Sequence, residues 1–424
     1  MAWKGHMLMK KKNSSGKPIR VGVFGIGRGG AFTGPGAKAA GFELVALCDK
    51  NAAGLKHASK LHSVKGYTDF DKFLEHDMDA VVMANYFHQH APYAVKALKA
   101  GKHVMSETAA CHTLGEGVEL VRTVEQAGRT YMFAENYAFT AARQEMRRVF
   151  MTGEFGTFMY GEGEYVHPMD ADTGNSLSIG CNHWRNWIPA TYYCTHALSP
   201  IMYITETMPV KVNGFVIRTA MDAPEAQRRP RKQDAASMIA LRMDNGAVVK
   251  LLQISLRGHS GPTRIHAARG FLSDAGGNVT LIREQFHEPV VHPKSMTYAP
   301  EFPAMADLAS SSGHGGGDFY MMYNFARAIR TGKQPFMNVY RGVAMSMVGI
   351  LAWRSALNDS NTEIVPDFSK ELVRKRYEND DWSPDPARRK PGQPWSSIEG
   401  DKKISPFALK YARNIWKKSG YKGT

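Results

Sequence analysis

Ile19-Arg-Val-Gly-Val-Phe-Gly-Ile-Gly-Arg-Gly-Gly30 is an apolar run that ends in a cluster of glycines. The run has the length and β-branched content of a buried strand, and Gly25-Ile-Gly27-Arg28-Gly29-Gly30 fits G-x-G-x-x-G directly after it, ahead of a predicted helix. In such a turn the first glycine permits the tight bend, the second lets a pyrophosphate approach the backbone, and the third allows close helix–strand packing. Triplets of this kind also mark ordinary turns, and this chain holds 40 glycines, so the neighbouring sequence decides. Asp49 closes the next apolar run, Phe42–Asp49. A carboxylate there can accept both hydroxyls of a ribose and would repel a 2′-phosphate, which favours NAD over NADP. Arg28, inside the loop, is a cation that could pair with phosphate instead.

Further runs follow at Asp79–Ala84, Lys102–Glu107 and Thr130–Glu135, separated by helix-compatible stretches such as Pro92–Ala100 and Leu114–Gln126. Strands alternating with helices predict βαβ units on a parallel sheet covered on both faces. After Phe150 the pattern changes. Phe158–His167, Val210–Ile217, Ser237–Met243 and Ala247–Ile254 read as strands of an antiparallel sheet, with Asp244-Asn-Gly246 as a hairpin turn. Helical spacing predicts helices over Gly317–Arg330 and Val339–Leu357. The fold class is therefore α/β: an N-terminal Rossmann dinucleotide-binding domain, then an α+β domain with an open, mostly antiparallel sheet. The expected boundaries are a basic leader over 1–17, the Rossmann domain over 18–140, the substrate domain over 141–364 and a basic, Pro-rich extension over 365–424. The extension, with Pro384, Pro386, Pro391 and Pro394 among charges, is expected to run extended along the surface.

The chain has 424 residues, enough for two or three domains, and 43% hydrophobic with 22% charged residues excludes wholesale disorder. No apolar run reaches the roughly 18 residues a membrane helix needs. The four cysteines show no C-x-x-C spacing, which argues against a disulfide framework or zinc ribbon. The formal net charge of +15 raises nucleic acid as a partner. Residues 1–17 hold five lysines and no acid, and residues 365–424 hold 14 Lys+Arg against 8 acids, leaving the body near neutral at +4. The surplus sits in the two ends, so no nucleic-acid partner and no membrane are expected.

Ala84-Asn-Tyr-Phe-His88 followed by Ala91-Pro-Tyr-Ala-Val-Lys-Ala-Leu-Lys-Ala-Gly-Lys-His-Val104 resembles the Gfo/Idh/MocA oxidoreductases. That resemblance implies a nicotinamide held between a Rossmann domain and an open sheet. The family usually continues with Glu-Lys-Pro, whose lysine takes part in proton transfer; here the sequence is Glu107-Thr108-Ala109. Glu135-Asn136, Gly163-Glu-Tyr-Val-His167, His183-Trp-Arg185, Tyr193-Cys-Thr-His-Ala-Leu-Ser-Pro200 and His314-Gly-Gly-Gly-Asp318 resemble the NAD-dependent family 109 glycoside hydrolases, which also lack that lysine. The resemblance covers Ile19 to Phe368. It departs at Cys194, where relatives usually carry proline, and in lacking their twin-arginine leader, from which a cytoplasmic location is expected.

What the resemblance implies is an NAD-dependent hydrolase of a hexose glycoside, with an N-acetylgalactosaminide as one candidate; the basic charge balance adds an acidic sugar as another. Such an enzyme oxidises C3 of the sugar, eliminates the C1 leaving group after loss of the acidified C2 proton, adds water and reduces the ketone again. Tyr165 is the candidate base at C2; with an ordinary pKa of about 10 it would need lowering by NAD⁺ or by Arg185. His196 is the candidate acceptor of the hydroxyl proton in place of the missing lysine. Arg185, Tyr193, His314 and Asp318 complete the expected substrate site. Gly25, Gly27, Arg28, Gly29, Gly30, Asp49, Asn85, His88, Glu107, Thr108 and Asn136 form the expected cofactor site. An isolated strand tyrosine is ordinarily packed, and a histidine near a helix start ordinarily braces it, so these roles rest on the resemblance. His167 and His183 read as structural, Trp184 and Trp187 as either sugar platforms or core, and no helical His spacing supports a metal site. Two other readings share these features: a sugar or glycoside 3-dehydrogenase that releases its ketone, and a non-catalytic NAD-binding sensor. An open sheet face also suggests a homo-oligomer, a dimer or tetramer.

Overall fold

The five apolar runs of the N-terminal third become strands of one sheet. The computed structural model describes residues 16–284, 294–303 and 305–421, so residues 1–15 of the expected leader lie outside it. In it β1 (Ile19–Phe24), β2 (Phe42–Cys48), β3 (Lys65–Tyr67), β4 (Ala80–Met83), β5 (His103–Ser106) and β6 (Tyr131–Phe133) pair in parallel in the order β3-β2-β1-β4-β5-β6. Val21, Val23, Val81 and Val82 are fully buried because helices such as His90–Lys99 and Leu114–Ala127 cover the sheet. The helix Leu114–Ala127 starts at a capping box: Thr113 Oγ1 accepts from Glu116 N (3.1 Å), and the Glu116 carboxylate accepts from His112 N (2.9 Å). β3 is unexpected; at three residues it is too short to show a period.

The strand order reverses between β1 and β4, which opens the crevice where sheets of this kind take ligands. The helix expected after the glycines is broken into a single turn, Ile26–Gly29, a 3₁₀ turn, Gly30–Phe32, and a short helix, Pro35–Ala39. Gly29, Gly30 and Gly34 favour its interruption, and Pro35 starts a new helix at a position needing no N–H donor.

The second sheet has nine strands: β7 (Phe158–Val166), β8 (Pro209–Ile217), β9 (Ala236–Met243), β10 (Val248–Ile254), β11 (Thr263–Ala267), β12 (Gly270–Ala275), β13 (Asn278–Arg283), β14 (Ser295–Tyr298) and β15 (Glu363–Ile364). Their order is β14-β13-β12-β11-β7-β10-β9-β8-β15, antiparallel throughout except where β7 runs parallel to β10. Asp244–Gly246 forms the turn between β9 and β10, closed by Met243 N donating to Ala247 O (2.9 Å). The helix Val339–Leu357 is buried on nearly every side and ties the two sheets together. Its Ser346 Oγ accepts from Ala110 N of the first domain, and its Ser355 Oγ accepts from Gly214 N of β8, both at 2.9 Å.

The extension does not simply hug the surface. It ends in a helix, Pro406–Lys418, whose Trp416 is 1% exposed and donates from Nε1 to Asn175 O (3.0 Å). Ala408, Ala412 and Trp416, four residues apart, form its buried stripe. Before that helix, Arg374 pairs with Glu125 (2.7 Å), Asp380 with Arg354 (2.6 Å) and Arg388 with Glu116 (2.7 Å). Several of the extension's charges are thus spent strapping it to the body. Among the described residues no helix is long and apolar enough to cross a membrane.

Candidate active site

Gly25, directly after β1, has φ 94°, and a Cβ there would strike the carbonyl of Ala84 at the end of β4. A Cβ on Gly27 or Gly30 would meet nothing within 4 Å, whereas Gly29 presses against Val23. The loop therefore offers an open backbone cradle at the switch point. Asp49 stands beside it, its Oδ2 accepting from Ile26 N (2.9 Å) and its Oδ1 from Asn51 N (2.8 Å). Asn85, just past β4, has a buried amide whose oxygen and nitrogen both lack a partner. An open glycine cradle, a fixed carboxylate and an orphaned amide fit a dinucleotide.

Arg28 differs from its expected role. Rather than facing a phosphate, its guanidinium donates to both Asp318 oxygens (2.6 and 2.9 Å) and lies 2.8 Å from Glu107. Asp318 also bonds His314 Nδ1 (3.0 Å) and accepts from Asn136 Nδ2 (3.4 Å). Burial pushes the Asp318 carboxyl up, but His314 and Arg28 hold it well below the usual carboxylate range. Burial pushes the Glu107 carboxyl up against the pull of Arg28. His314 and Asp318, expected in the sugar pocket, thus join the cofactor-side group of Arg28, Glu107 and Asn136. Thr108 is buried after β5. His88 faces Trp187 (5.0 Å between rings) and Asp385 of the extension (3.9 Å), and neither partner belongs to the glycine loop. Burial lowers the His88 imidazole to about 4.

Tyr165 is the penultimate residue of β7, and His196 is the second residue of the helix Thr195–Thr205. The two meet because Gly163 of β7 leaves no side chain between the strand and that helix, so the Ala197 carbonyl packs directly on it. The rings of Tyr165 and His196 lie 4.6 Å apart, with Tyr193 at 5.1 Å from His196 and 5.7 Å from Tyr165. Tyr137 packs at 5.1 Å from Tyr165 and 4.7 Å from His196. His196 Nδ1 bonds both oxygens of Glu135, at 2.8 and 3.0 Å, with Glu135 fully buried after β6. Against its burial, His196 and Thr195 hold the Glu135 carboxyl below its ordinary value. An ionised carboxylate only accepts, so Nδ1 carries a proton and donates it to Glu135.

The environment of Tyr165 contradicts the expectation of a lowered pKa. Burial pushes its phenol strongly up, Tyr193 and Tyr137 push the same way, and Arg185 opposes them. A small cavity adjoins it, walled by Trp184, Arg185, Tyr193, Arg229 and Arg231 among others, and no Asp or Glu lines it. The Arg185 guanidinium lies 4.3 Å over the Trp184 ring, which stacks within 15° of Tyr193 at 6.2 Å. Trp187 is 1% exposed and belongs to the core. His183 braces the turn, its Nδ1 accepting from Arg185 N (3.2 Å), and burial together with Arg185 lowers it to about 3. His167 packs 5.5 Å from the Tyr165 ring. Among the described residues no group of three or more His, Cys, Asp or Glu is arranged to hold a metal ion.

Glu135, Tyr137, Arg229 and Arg231 are absent from the site residues the sequence singles out. Glu135 and Tyr137 had a signal, since Glu135-Asn136-Tyr137 follows a strand of the parallel sheet at the end where ligands bind. Arg229 and Arg231 sit in Arg228-Arg-Pro-Arg-Lys232, which reads as an exposed basic loop until its packing is seen.

Residues 19–135 match the oxidoreductase family with an NAD-binding Rossmann fold, and residues 205–375 match the C-terminal domain of glycosyl hydrolase 109. A glycosyl hydrolase family 109 protein of Saccharopolyspora erythraea is 26% identical over 411 residues, covering 87% of each chain. Another, from Solibacter usitatus, is 26% identical over 389 residues, covering 83% of this chain and 88% of its own. Among solved structures, levoglucosan dehydrogenase in complex with NADH and levoglucosan superposes with a TM-score of 0.71 at 19% identity, over 82% of this chain and 100% of that one. An oxidoreductase domain protein from Kribbella flavida gives 0.71 at 19% identity, over 83% and 100%. These two structures share the fold.

Proposed function

The chain joins the NAD-binding domain of the oxidoreductase family to the C-terminal domain of glycosyl hydrolase 109, and from that premise we propose that it hydrolyses a hexose glycoside by transient oxidation at C3. The observation that carries this reading is the buried Glu135–His196 pair packed against Tyr165, which itself lines a cavity that no Asp or Glu lines. A glycosidase of the ordinary kind needs two facing carboxyl groups across the scissile bond. Here the cavity wall offers phenols, an imidazole and guanidinium groups instead.

Bound NAD would supply reversible hydride acceptance at C3, which would leave hydrolysis as the overall reaction. His196 Nε2 accepts the proton of the 3-hydroxyl, and Glu135 steadies the imidazolium that forms. The resulting ketone acidifies C2, Tyr165 removes that proton, and the C1 substituent leaves as the double bond forms. Water adds its hydroxyl at C1, and its other proton neutralises the departed aglycone anion. Tyr165, its proton exchanged with solvent, returns a proton to C2, and His196 returns its proton to the 3-oxygen as the ketone is reduced. Arg185 and Tyr193 hold sugar hydroxyls or a substituent, with Trp184 as an apolar face beneath them. On the cofactor side, Asp49 binds the ribose, while Asn85, Glu107 and Asn136 border the nicotinamide end. The sugar is a hexose, with an N-acetylgalactosaminide as one candidate and an acidic sugar as another.

The test is cofactor bookkeeping with purified holoenzyme and aryl glycosides. Hydrolysis predicts aglycone release over many turnovers without accumulation of NADH. NADH accumulating with excess NAD⁺ and no released aglycone would establish a sugar 3-dehydrogenase instead.

A further inference from the structure

Three arginines line the same cavity, and none of them pairs with a carboxylate among the described residues. Arg229 is 9% exposed, packs on Gly174 of the helix Ala171–Ser176 where no side chain intervenes, and buries an Nε without a partner. Arg231 donates from Nη1 to Ser255 Oγ (3.1 Å) and also buries an unpartnered Nε. Arg185 has only the Trp184 ring beneath it. The acids whose fields reach them are committed elsewhere. Asp170 caps its helix, accepting from Thr173 N (2.8 Å) and Thr173 Oγ1 (2.6 Å). Asp234 accepts from Ser397 Oγ (2.8 Å) and Ile398 N (2.9 Å). Other basic groups nearby are neutralised, Arg257 by Glu225 and Lys402 by Glu399 (3.2 Å). Burial lowers Arg229 to about 9, with Arg231 and Arg185 adding repulsion, and burial lowers Arg231 to about 10.

Burying unpaired cations is costly, and the cost is recovered when an anion docks between them. A guanidinium fork matches the paired oxygens of a carboxylate or sulfate. Arg229 and Arg231 stand in the wall shared with an adjoining cavity of about 310 Å³, which also contacts Met169 and Ser255. We propose that Arg185, Arg229 and Arg231 form a subsite for an anionic substituent of the glycoside, a carboxylate or a sulfate ester, carried by the sugar beside Tyr165 or by the unit attached to it. This inference rests on the proposed hydrolase reading and narrows its substrate to acidic glycosides.

The experiment compares kcat/KM of the holoenzyme on matched aryl hexosides: neutral, uronic and sulfated. Calorimetry with free hexuronate and with inorganic sulfate is run alongside, on wild type and Arg231→Gln. The expected result is at least about tenfold preference for one acidic glycoside over the neutral one, with that ratio falling about tenfold in the variant. The expected thermal midpoint of Arg231→Gln is equal to or above wild type, because an unpaired buried charge is removed. Equal or better turnover of the neutral glycoside, with no anion bound in calorimetry, overturns the subsite and leaves the hydrolase reading intact. If no glycoside is cleaved yet hexuronate or sulfate binds wild type and not Arg231→Gln, the subsite stands and the hydrolase reading falls. A variant that weakens neutral and acidic substrates equally, or melts well below wild type, assigns Arg231 to the scaffold and overturns the proposal.

Discussion

Glu135 grips the Nδ1 edge of His196 with both carboxylate oxygens, at 2.8 and 3.0 Å, and leaves Nε2 free. The proposed proton acceptor thus stands in a chain that has Thr108 at the position of the relatives' lysine. Glu135→Gln keeps the shape but lets the amide donate to Nδ1, which moves the proton to Nε2. The expected loss is about 10²–10⁴-fold in kcat, with little change in NAD affinity. Steady-state rates and a cofactor titration check this.

Tyr165 must ionise, or share its proton, to act at C2, yet burial drives its phenol up. The fraction able to act as base therefore rises with pH, and so should the rate on the alkaline side. Arg185 is the neighbouring cation that opposes the upward shift, so Arg185→Met moves the alkaline limb to higher pH. Tyr165→Phe removes that limb and lowers turnover by about 10²–10⁴-fold. Full pH–rate profiles for both variants test the assignment.

Asp49 is held at the end of β2 by Ile26 N and Asn51 N, beside the open backbone of Gly27 and Gly30. Asp49→Ala should weaken NAD about tenfold and narrow the discrimination against NADP, since a ribose acceptor and a 2′-phosphate repellent are lost together. Fluorescence titration with both dinucleotides measures it.

Asp318 joins the helix Gly317–Thr331 to Arg28, Asn136 and His314. Its folded pKa lies below the unfolded value of about 3.9, so its stabilisation is full above that pH and drains away as the pH falls toward the folded value. Asp318→Asn should cost about 1–3 kcal/mol at neutral pH, and the difference between the two proteins should narrow steadily as the pH falls below about 4. Urea unfolding across that range gives the comparison.

The parallel sheet was legible because its buried strands are short apolar runs closed by glycine or acid, and Ile19–Gly30 sits at their centre. β3 was not, because Lys65-Gly-Tyr carries no period. The terminal helix was hidden by the prolines and charges before it, although Ala408, Ala412 and Trp416 hold the stripe that buries it. In the site, Tyr165, Tyr193 and His196 were readable as chemistry-bearing residues and the fold brings them together. Glu135 was overlooked because its partner is 61 residues away and only the helix packed on Gly163 makes them neighbours. The direction of the Tyr165 shift was misjudged for a related reason: a sequence names the nearby cation but not the depth of burial, and burial dominates here. Arg28 likewise reads as a phosphate ligand until Asp318, far along the chain, is seen to claim it.

Oxidation at C3 with proton exchange at C2 leaves an isotopic record in the product sugar. Holoenzyme is incubated in D₂O with an aryl glycoside, without added cofactor, and the released sugar is examined by NMR and mass spectrometry. The expected result is aglycone release with deuterium at C2 and hydrogen retained at C3, with Tyr165→Phe abolishing the incorporation. Aglycone release with no deuterium at C2 would contradict it.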